Sequence, residues 1–318
     1  MTDRTHLHLL ICGVGYSGMA VARRAAACGW RVTGTARDPA ARVSATTAPE
    51  EVQVVAFAEV APVLAQATHL LVTAPPGEEG DPVIAGHRDA ILAAPGLRWI
   101  GYLSTTGVYG DRGGGWVEES TPPAPGQARS RRRLAAEEAW RALAAQAPGR
   151  PALDLFRVGG IYGPGRSAFD ALRAGTARRV VKPGHPFSRI HRDDIALAVI
   201  AAATQSPEPG RVRVLHLVDD EPAEPAAVTE EAARLLGLAP PPEVPFEEAA
   251  RAMSPMALSF WAENRRVANA RTKAALGIAA WRYPTYREGL RAILAEEAQA
   301  PGSAAGGVGE QGVERPRQ

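Results

Sequence analysis

A run of six residues near the N-terminus has the types and spacing of a phosphate-binding turn. The pattern is G-x-G-x-x-G, it follows an apolar run at residues 7–12, and it consists of Gly13, Val14, Gly15, Tyr16, Ser17 and Gly18. The first glycine permits a tight turn, the second lets the backbone approach a pyrophosphate, and the third allows close packing of helix on strand. The helix that follows would direct its free N–H groups at the phosphates. The pattern predicts a dinucleotide site, with a glycine turn that binds nothing as the alternative.

The end of the next strand-like run, residues 30–36, distinguishes the two nicotinamide cofactors. NAD-binding proteins place a carboxylate there to bind the ribose 2′-hydroxyl group. In this chain the position falls on Ala36, and Arg37 follows it. Alanine leaves room, and a guanidinium group forms charge-assisted hydrogen bonds with a 2′-phosphate. Ala36 and Arg37 therefore favour NADP; the alternatives are NAD and an Arg37 that only contacts solvent.

These residues need a sheet to position them. Residues 7–36 read as strand, turn, helix and strand, and further strand-length apolar runs alternate with helix-like segments; these runs include residues 51–57, 69–76, 98–105 and 152–158. Strands that alternate with helices indicate a parallel sheet covered on both faces. The sequence therefore predicts an α/β fold.

The composition excludes several other classes of function. A net charge of +2 gives no electrostatic basis for binding nucleic acid or an anionic membrane. Two cysteines are too few for a disulfide framework, and they argue against a metal site. No apolar run approaches the roughly 20 residues that cross a bilayer, and the N-terminus does not have the pattern of a signal peptide. We expect a cytoplasmic protein with a small-molecule substrate, without nucleic acid, membrane or metal as partners.

Four further stretches resemble the extended, epimerase-like branch of the short-chain dehydrogenase/reductase superfamily. They are LSTTGVYGD at 103–111, RVGGIYGPGR at 157–166, RIHRDDIALAV at 189–199 and HLVDDEP at 216–222. Within that branch, the glycine turn and APPG at 74–77 are most similar to a small atypical bacterial group described as NAD-dependent epimerase/dehydratase-like. The resemblance extends to about residue 296, and its motifs specify the superfamily but no substrate.

The resemblance implies a Rossmann-type doubly wound parallel sheet with a smaller C-terminal substrate-capping region. Residues 1–160 would form the NAD(P)-binding domain, and residues 161–298 mainly the cap, with a strand at about 211–218 returning to the sheet. Residues 299–318 cannot bury a core, so we expect a disordered tail there. The branch often forms dimers through helices, which makes a homodimer a possible assembly.

Several positions acquire expected roles from the resemblance alone. Ala74 and Pro75 correspond to a loop that passes the cofactor, and Ile161 corresponds to a position beside the nicotinamide. His191 and Asp194 match the H-x-D-D motif of the branch. For this pair a structural role, connecting the cap to the core, is favoured over substrate contact.

The reacting groups of the superfamily are only partly present. A Ser or Thr normally polarises the substrate oxygen, a Tyr transfers the proton, and a Lys four residues later binds the ribose. Thr105, four residues before Tyr109, fills the first place, with Ser104 and Thr106 as neighbouring candidates.

The tyrosine and the lysine are replaced. The stretch RSRRRLAAEEAW at 129–140 resembles the segment Y-x-x-x-K-x-x-x-E, with Arg129 at the tyrosine position and Arg133 at the lysine position. The two arginines share a helix face because they are four residues apart. Arginine stays protonated in proteins, so Arg129 cannot serve as the general base.

Three explanations remain open at this stage. Another phenol, Tyr109 or else Tyr162, transfers the proton, which gives Thr105, Tyr109 and Arg133 as catalytic residues. Alternatively, Arg129 and Arg133 bind an anionic substrate and the chemistry follows another route. Finally, the protein is a non-catalytic NAD(P)-binding sensor or regulatory protein.

The loop KPGHPFSRIH at 182–191 adds basic residues near the expected substrate. Arg189 is the favoured contact there, ahead of Lys182 and His185, and suggests an anionic or phosphorylated ligand. The expected substrate-binding residues are Thr106, Arg129, Tyr162 and Arg189. The expected function is an NAD(P)-dependent oxidoreductase or epimerase acting on a small hydroxyl- or carbonyl-bearing metabolite.

Overall fold

The computed structural model describes residues 7–40, 52–205 and 208–299. Its strands are β1 His8–Cys12, β2 Arg31–Ala36, β3 Val52–Ala56, β4 His69–Val72, β5 Trp99–Thr105, β6 Trp116–Val117, β7 Ala152–Val158, β8 Gly160–Tyr162, β9 Arg179–Val181, β10 Arg189–His191, β11 Val212–Leu217, β12 Glu243–Pro245 and β13 Arg266–Val267. The tail expected at 299–318 lies outside the described residues, except for its first position.

The helices of the described residues follow the strands in alternation over the first half of the chain. They are α1 Tyr16–Ala27, α2 Val60–Leu64, α3 Pro82–Ala93, α4 Ala128–Gln146, α5 Ala168–Arg173, α6 Arg192–Thr204, α7 Pro225–Leu235, α8 Phe246–Ala250, α9 Pro255–Trp261, α10 Ala270–Leu276 and α11 Tyr286–Gln299. Short 3-10 turns at Phe57–Glu59 and Thr106–Tyr109 complete the pattern. None of the described helices is both long and apolar enough to span a membrane.

Seven strands form one parallel sheet in the order β11-β7-β5-β4-β1-β2-β3. The order reverses between β1 and β4, and in open sheets of this kind ligands bind at the carboxyl ends of the strands beside that reversal. Strand β11 pairs in parallel with β7, with Val212 opposite Leu153. The predicted Rossmann-type α/β fold is confirmed.

Alternating side chains of the central strand enter two separate cores. Leu9 and Ile11 pack with α1 and α6, whereas Leu10 and Cys12 pack on the opposite face with α2, α3 and α4. Successive side chains of a strand point to opposite faces, and helices cover both faces here, so the strand is apolar throughout. Trp140 of α4 is fully buried in the second core, which fixes the helix that carries the two arginines.

The C-terminal segments form a smaller cluster beside the sheet. Helices α5, α7 and α11 contribute Phe169, Ala232 and Leu290 to one buried apolar group. Asp194, at the start of α6, accepts hydrogen bonds from the backbone N–H groups of Arg282 and Tyr283 at 2.8 and 3.0 Å. The carboxylate of the H-x-D-D motif therefore joins α6 to the chain entering α11.

Candidate active site

The three glycines of the turn between β1 and α1 differ in how much space a side chain would have. Gly13 has a φ of +105°, and a Cβ atom there would lie 2.7 Å from Thr73 Oγ1; a Cβ on Gly18 would lie 2.4 Å from the Gly13 carbonyl oxygen. A Cβ on Gly15 would meet no atom within 4 Å. The first and third glycines are therefore required by packing, and the second faces open space.

The N-terminus of α1 is left available for an anion. Gly15 is the N-cap residue, no side chain caps the helix, and its first turn contains no acidic residue. Thr35 holds the preceding turn, because its Oγ1 atom accepts a hydrogen bond from the Gly13 N–H group at 3.2 Å and its carbonyl accepts one from Val14 at 2.9 Å. The positive end of the helix dipole and the first-turn amides thus face the side that Gly15 leaves open.

The other residues of the predicted cofactor set lie around this turn. Ser17 is buried, and the Tyr16 hydroxyl group donates to the Pro164 carbonyl at 3.0 Å. Ala36 ends β2 and is half-buried, and Arg37 is exposed immediately after it. The Ala74 N–H group donates to the Cys12 carbonyl at 3.2 Å, so the loop after β4 passes directly beside the end of β1.

A cleft of about 690 Å³ lies between the sheet and the cap. Predicted site residues from four separate parts of the chain line it, namely Pro75, Thr105, Thr106, Arg129, Arg133 and Arg189. Ile161 is half-buried and pairs with Ile190 across β8 and β10, next to the lining residue Gly160. The structure thus brings most of the predicted substrate and catalytic positions to one cavity.

The two arginines of α4 are held differently within that cleft. Arg133 Nη1 donates to the Leu103 carbonyl at 2.8 Å and to the Tyr102 hydroxyl group at 3.1 Å. Arg129 lies over the ring of Phe260, 3.7 Å from its centroid. Burial lowers the pKa of Arg129, and Glu263 opposes the shift. Arg129 nevertheless remains a cation, because the guanidinium group does not deprotonate in proteins.

Thr105 ends β5 with its hydroxyl group at the cleft. Its Oγ1 atom accepts a hydrogen bond from the Gly107 N–H group at 3.1 Å. A hydroxyl group has one donor and two acceptor lone pairs, so this contact leaves the Thr105 proton available to a ligand. Thr106 is buried and lines the same cleft.

Neither of the two candidate phenols lines the cleft. Tyr109 is 0% exposed, and its hydroxyl group lies 2.5 Å from His216 Nε2. The other ring nitrogen of His216, Nδ1, is 2.7 Å from the Ala268 carbonyl and would donate to it. His216 Nε2 is therefore the acceptor, and the Tyr109 hydroxyl group is the donor. Burial raises the pKa of Tyr109. Tyr162 is 8% exposed, its hydroxyl group donates to the Thr285 carbonyl at 3.4 Å, and burial also raises its pKa.

Arg189 reaches both the cleft and a second cavity. Its Nη1 atom donates to the carbonyls of Phe187 at 2.8 Å and Ala223 at 2.7 Å, and burial lowers its pKa. The second cavity, about 360 Å³, is lined by Arg189 and Tyr162 together with cap residues. The structure therefore separates Tyr162 from Thr106 and Arg129, and Arg189 is the expected substrate contact that lines both cavities.

Comparison with known proteins places this architecture. No family model matches the sequence. Protein YeeZ of Escherichia coli K12 is 32% identical over 246 residues, which cover 73% of this chain and 84% of YeeZ. The chain belongs to the YeeZ family.

Solved structures extend the comparison. A functionally unknown conserved protein from Silicibacter pomeroyi DSS matches with a TM-score of 0.81 and 43% identity over 91% of this chain and 99% of its own. A protein from Methylobacillus flagellatus described as an NAD-dependent epimerase/dehydratase matches with 0.64 and 26%, over 92% and 99%. The resemblance to the epimerase-like branch is thereby confirmed. The human epimerase family protein SDR39U1, solved with NADPH, shares the fold at a TM-score of 0.71 and 18% identity over 90% and 99% of the chains.

A buried glutamate, Glu137, stabilises the elements that line the cleft of this YeeZ family member. Glu137, fully buried on α4, accepts hydrogen bonds from Ser104 Oγ at 2.5 Å and from Arg157 Nη2 at 2.7 Å. Glu137 occupies the last position of the Y-x-x-x-K-x-x-x-E pattern. Its contacts join the end of β5 to α4, and so set Thr105 against the two arginines.

The sequence reasoning missed the cap side of the cleft. Glu263 and Arg265 line it, and Arg265 Nη1 donates to Glu263 Oε2 at 2.9 Å and to the Gly110 carbonyl at 2.8 Å. The only local signal is the charged run ENRR at 263–266, which indicates an ion pair without locating it. Within the described ranges no cluster of His, Cys, Asp and Glu suits a metal ion.

Proposed function

We propose that this protein binds NADP in preference to NAD and acts as an oxidoreductase or epimerase on a small, anionic metabolite that bears a hydroxyl or carbonyl group. The observation that carries the proposal is the open space at Gly15, in a turn that ends at an uncapped helix N-terminus without acidic residues. A pyrophosphate needs that backbone approach and that positive end of the helix. The NAD-dependent description of the Methylobacillus flagellatus protein and the NADPH bound to SDR39U1 support it.

The cofactor contacts would follow the order of the sheet. The turn from Gly13 to Gly18 would hold the pyrophosphate, and Ala36 and Arg37 the adenosine ribose with its 2′-phosphate. Ala74, Pro75, Arg133 and Ile161 would line the path toward the nicotinamide. The nicotinamide, when bound, supplies or accepts a hydride at the substrate carbon.

The chain's own residues would bind and polarise the substrate. The Thr105 proton is available to hydrogen-bond the substrate oxygen, and Arg129 brings a permanent positive charge close to it. Among the described residues that line the cleft there is no Tyr, His or Lys. This favours the explanation in which the arginines bind an anionic substrate over the one in which a substitute phenol transfers the proton.

The same observation also favours a second candidate function, a non-catalytic NAD(P)-binding sensor. A protein of this kind would keep the glycine turn and need no proton-transferring side chain in the cleft. The two functions predict the same cofactor binding and differ only in turnover, so both must be measured.

Fluorescence titration with NADPH and NADH tests the cofactor. We expect NADPH to bind at least about tenfold more tightly, which corresponds to roughly 1.4 kcal/mol. Arg37→Gln should remove most of that preference. Gly15→Ala should abolish binding without unfolding the protein, since the methyl group meets no protein atom but fills the pyrophosphate approach. The matched control is Gly86→Ala on α3, where the new Cβ would make an ordinary contact with Phe57 at 3.7 Å.

The outcomes separate the alternatives. Equal or tighter binding of NADH would refute the role of Arg37, and absence of binding by both cofactors would refute the proposed function. Turnover is then followed at the nicotinamide absorbance band with a panel of carbonyl compounds. Binding without any turnover on the panel would support the sensor.

A further inference from the structure

On the cap side of the cleft, the carboxylate of Glu263 has a hydrogen-bond partner for one of its two oxygen atoms. Glu263 is 8% exposed, and Oε2 accepts its hydrogen bond from Arg265. Oε1 is buried and has no hydrogen-bond partner among the described residues. An unpaired buried acceptor costs about 1–3 kcal/mol, and native proteins usually pair such atoms with protein, water or ligand.

The neighbouring Arg129 is a charged group that has no ion-pair partner among the described residues. Glu263 exerts an electrostatic effect on it, but the ion pairs found in the described part of the chain do not include Arg129. Its guanidinium group is fixed instead by stacking on Phe260. In contrast, Arg132 on the same helix pairs with Glu78 at 2.8 Å. Arg129 thus presents hydrogen-bond donors and a positive charge at the cleft.

The charges around the pair select the chemistry of a ligand. Five arginines line the cleft, and Glu263 is the acidic residue among its described lining residues. The cavity is therefore net positive, which attracts an anion and repels an ammonium group. The Glu263 carboxylate, an acceptor, still requires a donor. A hydroxyl group supplies that donor without a positive charge.

We infer that Arg129 and Glu263 together form a subsite for an anionic, hydroxylated small molecule. Its carboxylate or phosphate group binds Arg129, and a hydroxyl group of the same molecule donates to Glu263. The inference rests on the proposed function, because it specifies the substrate class for the same cleft. Glu263 then determines specificity, since it distinguishes hydroxylated anions from plain ones.

Isothermal titration calorimetry on the full-length protein, with and without NADPH, tests the subsite. The probes are gluconate and sorbitol phosphate, which combine hydroxyl groups with an anion, and two compounds of the same chain length that lack one feature each. Sorbitol has the hydroxyl groups only, and hexanoate has the carboxylate only. We expect at least one of the two hydroxylated anions to bind about tenfold or more tightly than both partial probes. Comparison of the two identifies the anionic group.

Two variants assign the effect to its residues. Glu263→Gln should weaken binding of the hydroxylated anion at least about tenfold, without weakening hexanoate, because it removes the charged acceptor but no cation. Arg129→Gln should weaken the hydroxylated anion and hexanoate alike. Glu138→Gln and Arg141→Gln, on the outer side of α4 and absent from the cleft lining, are the matched controls. Thermal unfolding of each variant verifies that it is folded.

The results that overturn the subsite are specific. They are binding of hexanoate or sorbitol as tight as that of both hydroxylated anions, no binding by any probe, or an unchanged affinity in folded Glu263→Gln. The NADPH titration is an independent readout on the same sample. NADPH binding without a preference for hydroxylated anions refutes the subsite alone, and the reverse result refutes the cofactor proposal alone.

Discussion

The glycine turn and the start of α4 both carry motifs of the same superfamily, but this chain keeps the first motif and departs from the second. At the turn, every glycine of G-x-G-x-x-G is present, and the geometry at Gly13 and Gly18 leaves no space for a side chain. At α4, the tyrosine and lysine positions hold Arg129 and Arg133, while the Glu137 beneath them is retained in a buried ion pair. The two regions lie at the same edge of one sheet.

The difference reflects what each region uses to bind its ligand. The turn presents backbone N–H groups, so its function depends on conformation and tolerates few substitutions. The face of α4 presents side-chain ends, and these are exchanged without a change of backbone once Glu137 and Trp140 hold the helix. Cofactor recognition is therefore expected to be conserved in this fold while the reacting groups vary, which accords with the view that function resides in sites placed on a shared fold.

The largest expected effect comes from removing the support of α4. Glu137→Ala leaves Arg157 as a buried cation without its partner, and breaking a buried ion pair in this way costs about 3–5 kcal/mol. Urea unfolding followed by circular dichroism measures the loss. Glu138→Ala, whose side chain is 66% exposed, is the control and should change stability by less than about 0.5 kcal/mol. Equal losses in the two variants would contradict a supporting role for Glu137.

Substitutions in the glycine turn change its backbone conformation and leave α4 unaltered, so they test the turn separately. Gly18→Ala forces a Cβ atom to within 2.4 Å of the Gly13 carbonyl oxygen, and overpacking of this kind costs about 1–3 kcal/mol. The turn must shift, so we expect both lower stability and loss of NADPH binding. Gly15→Ala should lose binding alone. The same result for both variants, in unfolding and in titration, would mean that the third glycine has no packing role.

The two regions were also unequally predictable from the sequence. The turn follows from local rules, because a glycine pattern between an apolar strand and a helix determines its own conformation. The direction of Tyr109 does not, because the Thr106–Tyr109 turn rotates it inward onto His216, a residue more than a hundred positions away. Glu263 approaches Arg129 only through the packing of the cap, for which the sequence has no periodic signal. Asp154 and Arg157, two charges within the apolar strand β7, are the local indications of buried ion pairs.

The strand between the two regions, β4, provides a pH-dependent test of the sheet that both share. Burial lowers the pKa of His69 to about 4, from 6.5 in the unfolded chain, and its Nε2 atom is 3.1 Å from the Ala203 carbonyl. The unfolded state therefore binds the proton between those two values, so stability falls as the pH falls. Integration from pH 7 to 5 gives a loss of about 2 kcal/mol from this residue.

Urea unfolding at both pH values, in the wild type and in His69→Gln, measures that contribution. The loss on acidification should be smaller in the variant, with a remaining slope from the other buried histidines, His8, His191 and His216, whose pKa values are also lowered. An identical slope in both proteins would show that His69 is not buried in its neutral form. NADPH affinity at neutral pH should not change, because His69 contacts neither region.

The smallest expected effect tests whether the cleft beside α4 lacks a proton-transferring phenol. Tyr109→Phe removes one buried hydrogen bond to His216 and should lower stability by about 1 kcal/mol. Because the hydroxyl group does not line the cleft, NADPH affinity and any turnover should remain at the wild-type level, as they should in the matched variant Tyr162→Phe. A loss of turnover beyond about tenfold in Tyr109→Phe, at unchanged NADPH affinity, would mean that the phenol reaches the substrate after all. In that case Tyr109, which follows β5, would transfer the proton in place of the tyrosine that α4 lacks at position 129. The reaction would then be that of the superfamily, with its phenol supplied from a different element.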